Sequence, residues 1–392
     1  MFSQRSQFPH QQNALTLLLN ERRALGLPVL DLTLSNPTLA HLDLPQEEIR
    51  RALVDGLEGP YLPEPFGLLP ARQAVAHHLQ SLNGPFPVPP PEQIVLTAST
   101  SEAYGMILTL LANPGEELLV PQPSYPLFAF LGQLSDVNLV PWPSQFVDGW
   151  QIDFAALEQA ITPLTRAILA VSPNNPTGAA LTHADLHKLA DLCVQHELAL
   201  IVDEVFADTS TEFLRTVAGH PHCLTFALGG LSKTLLLPQV KLAWTAVSGP
   251  PHLVAQALER LETMADTWLS LATPIQRALP HLLELKPRMQ QVLQERLNQN
   301  LDYLDRLCTD TPIQRLPRAG GWSVVLRLPL PPGEREWALL LLEEGILTHP
   351  GWFFDLHGDG WLVLSLLPEP QTFQSGAKKL VEIVLRETGS QR

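Results

Sequence analysis

The chain has 392 residues, 45% of them apolar and only 17% charged, with a formal net charge of −15 at pH 7. That apolar content supplies a substantial core and argues against a disordered polymer, and the length suits one large domain plus a smaller one. A net negative field repels a phosphate backbone, so nucleic acid is not an expected partner.

The N-terminal stretch predicts no export signal. Its longest apolar run, Ala14 to Leu19, is interrupted by Thr16 and is too short for an export core. No stretch reaches the length of a membrane span, so no membrane partner is expected. The prolines are scattered, and their densest patch, Pro85 to Pro91, predicts a surface connector. From there short β-like runs alternate with helical patterns. Strands are predicted at Ile94–Thr97, Glu117–Val120, Val137–Val140, Ala167–Val171, Leu198–Val202, Cys223–Leu228 and Leu242–Ser248. A helix is predicted at Glu102–Leu111, and another is marked by Leu186, Leu189, Ala190 and Cys193 at i, i+3, i+4 and i+7. Thr182 with Asp185 predicts a capping box for the second. The alternation predicts an α/β domain with a mostly parallel, seven-stranded sheet flanked by helices.

After about Pro280 the pattern changes. Met289, Val292, Leu293, Leu297, Leu301 and Leu304 share one face of a long amphipathic helix. Strand-like runs follow at Trp322–Leu328 and Trp361–Leu366, then a helix carrying Phe373, Ala377, Leu380, Val381 and Val384. This predicts a smaller α+β domain. The expected division is 1–38 as a segment packing with the small domain, 39–280 as the large domain and 281–392 as the small one. Glu334–Glu336 reads as a solvated turn and helix start. The three cysteines, Cys193, Cys223 and Cys308, form no CxxC pair, which predicts reduced thiols and a cytoplasmic protein.

Ligands of open α/β sheets sit beyond the carboxyl ends of the strands. After the first strand, Ser99-Thr100-Ser101 opens a helix; it reads either as an anion site or as a plain N-cap. After the fourth, Ser172-Pro-Asn-Asn-Pro-Thr-Gly178 reads either as a turn or as a loop that presents an amide. Asp203 and Glu204 close the fifth. Lys233 follows the sixth, in Gly229-Gly-Leu-Ser-Lys-Thr234. Of six lysines, Lys188 reads as the polar side of a helix and Lys286, Lys378 and Lys379 as polar helical surroundings; only Lys233 and Lys241 fall in apolar, small-residue loops after strands. A partly desolvated lysine has a lowered pKa and serves as a nucleophilic amine. An anion site, an amide, a carboxylate and a sheltered amine match the needs of pyridoxal 5′-phosphate. The serine lacks a Gly-x-Ser-x-Gly setting and the histidines lack metal spacing, so serine-hydrolase and zinc chemistry are not expected.

These motifs, with Ser35-Asn-Pro37 and Gln122-Pro-Ser-Tyr-Pro126, resemble the class I/II aminotransferases, the aspartate-aminotransferase-like branch of fold-type I pyridoxal-phosphate enzymes. The resemblance implies that Lys233 carries the cofactor as a Schiff base and moves the substrate proton. It implies that Asp203 faces the ring nitrogen, Asn175 the 3-oxygen and the substrate, and Ser99, Thr100 and Ser101 the phosphate. Tyr125 matches a ring-stacking residue, and Ser35 lies on a loop that touches the substrate carboxylate. Tyr61 matches a tyrosine that reaches the neighbouring subunit's phosphate, which implies a homodimer with shared active sites. Four positions depart from the pattern: Phe206 replaces Tyr, Gly230 replaces Ser, Lys241 replaces Arg, and Val363 replaces the arginine that binds the substrate carboxylate. Arg318 is a weak alternative anchor and otherwise a surface loop charge. The implied activity is transfer of an amino group from an amino acid or amine to a keto acid or other carbonyl acceptor. A lyase, decarboxylase or racemase, or a non-catalytic cofactor-binding sensor, are the other readings.

Overall fold

Strands covered on both faces must be apolar at every position, and the centre of this chain has several such runs. In the computed structural model, which describes residues 1–8, 13–210 and 214–389, they assemble into one large sheet. Its strands are β1 (Ile94–Thr97), β2 (Glu117–Gln122), β3 (Asn138–Phe146), β4 (Trp150–Ile152), β5 (Thr165–Val171), β6 (Ala199–Asp203), β7 (Thr225–Gly230) and β8 (Ala243–Ser248). Their spatial order is β1-β8-β7-β6-β5-β2-β3-β4. From β7 through β3 neighbouring strands are parallel, while β8 runs antiparallel to both its neighbours. The sheet therefore has eight strands, one more than the sequence predicts. The extra strand, β4, spans three residues and turns back antiparallel on β3; a run that short carries no readable period.

The period of two in β6 divides its side chains between two cores. Leu200 and Val202 join one cluster with Leu79, Val75, Leu186, Leu189 and Cys193, from helices Leu69–Ser81 and His183–Gln195. Ala199 and Ile201 join the other with Tyr104, Ile107, Phe128 and Val254, from helices Thr100–Leu111, Leu127–Ser135 and Pro251–Trp268. The predicted capping box of His183–Gln195 is present, between Thr182 and Asp185.

A second sheet has the order β9-β10-β12-β11, from β9 (Gln314–Arg315), β10 (Ser323–Arg327), β11 (His349–Pro350) and β12 (Trp361–Ser365). One face, with Val324, Leu326, Leu362 and Leu364, packs on helices Lys286–Cys308 and Pro370–Glu387. The other face, with Val325, Trp361 and Val363, packs on Leu316, Phe354 and Leu356. Phe146 and Trp150, from the β3–β4 hairpin of the large sheet, cover this cluster. The N-terminal segment joins here too: Leu30–Asp31 pairs in parallel with Ile346–Leu347, and the Leu32 carbonyl accepts from the Ser365 amide.

Two sequence expectations are corrected. Glu334 is buried, not solvated, because its carboxylate accepts the Trp352 and Trp361 amides as helix Glu334–Glu343 begins. Lys286 sits in a buried ion cluster, not on a polar helix surface. Its ammonium lies 3.0 Å from Asp208, 3.1 Å from Ser81 Oγ and 3.1 Å from His78 Nδ1. Burial lowers the His78 pKa to about 4, so the neutral ring accepts from Lys286. The cluster joins the start of helix Lys286–Cys308 to helix Leu69–Ser81 and the turn after β6.

Candidate active site

The carboxyl ends of β1, β2, β5, β6 and β7 point to the same edge of the large sheet, and the predicted residues gather along it. At the end of β6, Asp203 lies on the same face as Ala199 and Ile201 and is buried. One carboxylate oxygen accepts from Tyr104 Oη at 2.8 Å and the other from the Val205 amide at 3.0 Å. Burial raises its pKa, against the pull of these two bonds and of Lys233. Glu204, on the opposite face, accepts from the Val217 amide at 2.5 Å and Thr216 Oγ1 at 2.8 Å. It holds the next turn and stays outside the site.

Lys233 sits one strand over, in the short helix Leu231–Thr234 after β7. The β7 end is glycine for a steric reason: a Cβ on Gly229 would lie 2.6 Å from the Trp244 indole. Lys233 is half-buried, and its Nζ makes no hydrogen bond among the described residues. It lies 4.6 Å from the centre of the Trp322 ring and 5.8 Å from that of Phe206. Burial lowers its pKa to about 8, with the Asp203 charge opposing.

After β5, the Asn-Asn pair divides its work. Asn174 is buried and holds the loop, accepting from Thr177 Oγ1 at 2.9 Å and donating to the Pro123 carbonyl at 3.3 Å. Asn175 is left to face outward; its Oδ1 accepts from Ser323 Oγ at 3.2 Å. Its Nδ2 has no partner among the described residues. The Gln122–Pro123, Ser172–Pro173 and Asn175–Pro176 peptides are cis. Gly178, at φ +69°, closes the loop where a Cβ would meet Arg318 and the Gly320 carbonyl.

At the end of β1, Ser99 caps helix Thr100–Leu111, its Oγ accepting from the Glu102 amide at 3.2 Å. The Glu102 carboxylate is engaged by the Ala98 amide and the Ser270 hydroxyl. The amides and hydroxyls of Thr100 and Ser101 have no acceptor among the described residues, so the helix start presents unpaired donors. The N-cap is therefore present, and the unpaired donors beside it leave room for an anion. Tyr125 packs edge-on to Phe128, which packs edge-on to Tyr104, the donor to Asp203.

The remaining predicted residues make no hydrogen bond or ion pair to this group among the described residues. Ser35, Tyr61 and Lys241 are exposed, and none forms a side-chain hydrogen bond or ion pair among the described residues. Tyr61 lines a surface cleft with Thr97, Glu102 and Ser270, beside the helix start. Val363 is buried in the apolar cluster, paired across strands with Val325 and His349. Arg318 is not a surface charge. It is half-buried and folded onto its own loop, donating to the Gly321 carbonyl, with its Nε sealed and unpaired. Burial lowers its pKa to about 10.

A sequence profile described as aminotransferase class I and II matches residues 28–380. The chain belongs to the class I and II aminotransferases. It is 31% identical over 264 residues to an alanine aminotransferase of Mycobacterium tuberculosis, a match that covers 65% of this chain and 60% of that protein. It is 26% identical over 350 residues to aromatic-amino-acid aminotransferase 2 of Thermococcus litoralis, covering 87% and 88%. In fold it is similar to an alanine aminotransferase of Pyrococcus furiosus, with a TM-score of 0.87 at 22% identity over 98% of this chain and 100% of that one. A double mutant of Thermus thermophilus aspartate aminotransferase gives 0.85 at 24% identity, over 98% and 99%.

Aminotransferases of this family use pyridoxal 5′-phosphate. The residues here fit that group: an amine with no hydrogen bond, a buried anchored carboxylate, an unpaired amide nitrogen and a helix start with free donors. Lys233 would hold the aldehyde carbon, Asp203 the ring nitrogen, Asn175 the ring oxygen, and Ser99, Thr100 and Ser101 the phosphate. When bound, the cofactor supplies an electron sink for cleavage of a bond at the substrate α-carbon.

Tyr104 and Ser323 escape sequence reasoning, and Trp322 reads from sequence only as small-domain packing or the pocket mouth. Tyr104 could have been found, because a phenol on the buried face of Ala103, Met106, Ile107 and Leu108 needs a hydroxyl partner. Ser323 opens β10 and Trp322 immediately precedes it, and nothing in their spacing signals Lys233 or Asn175.

Proposed function

We propose that this protein is a pyridoxal-phosphate-dependent aminotransferase, moving an amino group between an amino acid or amine and a keto acid or other carbonyl acceptor. One observation carries the reading: the half-buried Lys233 amine, free of hydrogen bonds and depressed in pKa, shares a strand-end site with the anchored Asp203 carboxylate. An amine that titrates near 8 has a useful unprotonated fraction at neutral pH and can take and return a proton. Asp203, fixed by Tyr104 and Val205, offers a charged oxygen to a ring nitrogen. Asn175 directs its free amide nitrogen at a ring oxygen or a substrate. Tyr125 supplies a face for stacking. Ser35 and Asn175 are assigned to the substrate side. The relatives are named for alanine and aromatic amino acids, so these head the donor panel.

The same reading divides the chain into 1–38, 39–280 and 281–392, with the first segment joined to the third. It assigns a cytoplasmic homodimer with shared sites, in which Tyr61 and Lys241 serve phosphate groups. Among the described residues no helix is long and apolar enough to cross a membrane.

The test is a half-reaction, followed by absorbance, in which loaded protein meets amino acids and amines without acceptor. Conversion to the pyridoxamine form, with amino transfer strictly dependent on a carbonyl acceptor, supports the reading. No conversion with any donor, or release of ammonia or carbon dioxide without an acceptor, overturns it. Borohydride reduction with peptide mapping must place the cofactor on Lys233.

A further inference from the structure

We propose that Trp322, immediately before β10 of the second sheet, is the positioning residue for the Lys233 amine. The proposal rests on the reading of Lys233 as the cofactor lysine, but its test does not. A lysine stem has several free rotations, and ordinarily a hydrogen bond fixes its end. Lys233 Nζ has none among the described residues. What confines it is aromatic: the Trp322 ring at 4.6 Å and the Phe206 ring at 5.8 Å. An ammonium is drawn to a ring face, and the two rings also keep water from one side of the amine.

Trp322 is itself held rigidly. Its ring meets the Phe206 ring edge-on, with centres 5.0 Å apart at 83°. Its carbonyl accepts from the Leu366 amide at 2.8 Å. The preceding Gly320 and Gly321 are pinned to the large sheet's loops: the Gly320 amide donates to the Gly178 carbonyl at 3.1 Å, and the Gly321 amide to Thr209 Oγ1 at 2.7 Å. The following Ser323 donates to Asn175. The strand that delivers Trp322 to Lys233 is thus the strand that orients Asn175. Its placement couples the second sheet to the reactive amine.

The readout is the pH dependence of Lys233 acylation in full-length protein prepared without cofactor, measured by mass spectrometry of the labelled peptide. The charged group facing Lys233 is Asp203; Tyr104 and Tyr125, whose phenols burial raises, stay neutral through the titration. Wild type reacts with a midpoint near the value of about 8 given by burial. Trp322→Ala opens the amine to water, and its midpoint moves up towards the ordinary lysine value of 10.5, lowering the free-amine fraction at pH 8 by about tenfold or more. Trp322→Phe keeps an apolar ring between the amine and water and so restores most of the depression. An unchanged midpoint in folded Trp322→Ala protein overturns the proposal.

A second measurement needs no destabilising variant. In wild-type protein with 15N-labelled tryptophan, the Trp322 indole resonance, assigned by its loss in Trp322→Phe, titrates with Lys233 and stops titrating in Lys233→Met. A resonance insensitive to pH in wild type also overturns the proposal. Borohydride labelling separates the two ideas: cofactor on Lys233 without a Trp322 effect sinks the positioning role alone, and cofactor elsewhere sinks the functional reading.

Discussion

At the scale of single residues, the site is governed by what each polar group is bonded to. Tyr104 spends its hydroxyl on Asp203, and a hydrogen bond to a charged group is worth roughly 1.5–3 kcal/mol. Tyr104→Phe removes that bond with or without cofactor, so it should lower unfolding stability by roughly 1.5–3 kcal/mol, read by urea titration, and an unchanged transition would show that the bond contributes nothing. Glu204 shows the opposite use of a carboxylate. Burial raises its pKa from 4.5 to about 8, so between those values the folded chain keeps a proton that the unfolded chain releases. Its contribution to stability is full at low pH and falls as pH rises from 4.5 to 8. Urea unfolding at pH 5 and pH 8 should show wild type losing about 3 kcal/mol relative to Glu204→Gln. Equal losses in both proteins would place the proton elsewhere. Asp203 and Glu204 looked alike in the sequence as a strand-end pair. Only the alternation of faces, with Tyr104 on one side and Val217 on the other, separates a site residue from a structural one.

At the scale of elements, the parallel strands were readable because burial on both faces leaves unbroken apolar runs such as Leu198–Val202. The β3–β4 hairpin was not, since β4 is three residues long and half-covered. Nor was the part it plays legible. Phe146 and Trp150 owe their value to Trp361, some two hundred positions on, against which Trp150 lies at 6.5 Å. Val363 was legible as a departure from the family's arginine. That it would disappear beneath this aromatic cover was not, because the covering residues come from the other sheet. The Lys286 cluster was hidden for the same reason: its members, His78, Asp208 and Lys286, are distant in sequence. Removing one partner strands buried charge. Lys286→Met should cost about 3 kcal/mol in unfolding free energy, whereas a change at the exposed Lys378–Glu382 pair should cost less than about 0.5 kcal/mol. A comparable loss at both sites would argue against a buried network.

At the scale of the whole molecule, the surface beside the helix start is conspicuous for apolar side chains left in water. Leu57 is 67% exposed, Tyr61 65% and Trp268 72%. The segment that carries Leu57 and Tyr61 runs along the helix that follows Trp268: a Cβ on Gly56 would strike the Pro274 carbonyl, and Gly59 sits against Arg277. Patches of this kind mark association surfaces. Sedimentation should show a dimer for wild type and a shift towards monomer for Trp268→Asp, with cofactor retention falling in parallel if Tyr61 serves the partner. A wild-type monomer at micromolar concentration would rule this out. The resemblance suggested the dimer from Tyr61 alone; the neighbours that would bury it were not readable, because exposure is a property of the folded surface.

The ion cluster at Lys286 has one more consequence. Helix Lys286–Cys308 has 23 residues, which makes a rod about 34 Å long. It is anchored at its first residue, and near the far end Asp305 grips Arg315 of β9 with paired contacts of 2.6 and 2.9 Å. Such a rod hands a placement made at one end to the other: part-way along it, the Asn300 amide donates to the Leu366 and Pro368 carbonyls just beyond β12, so Lys286 helps to seat the second sheet as well as its own turn.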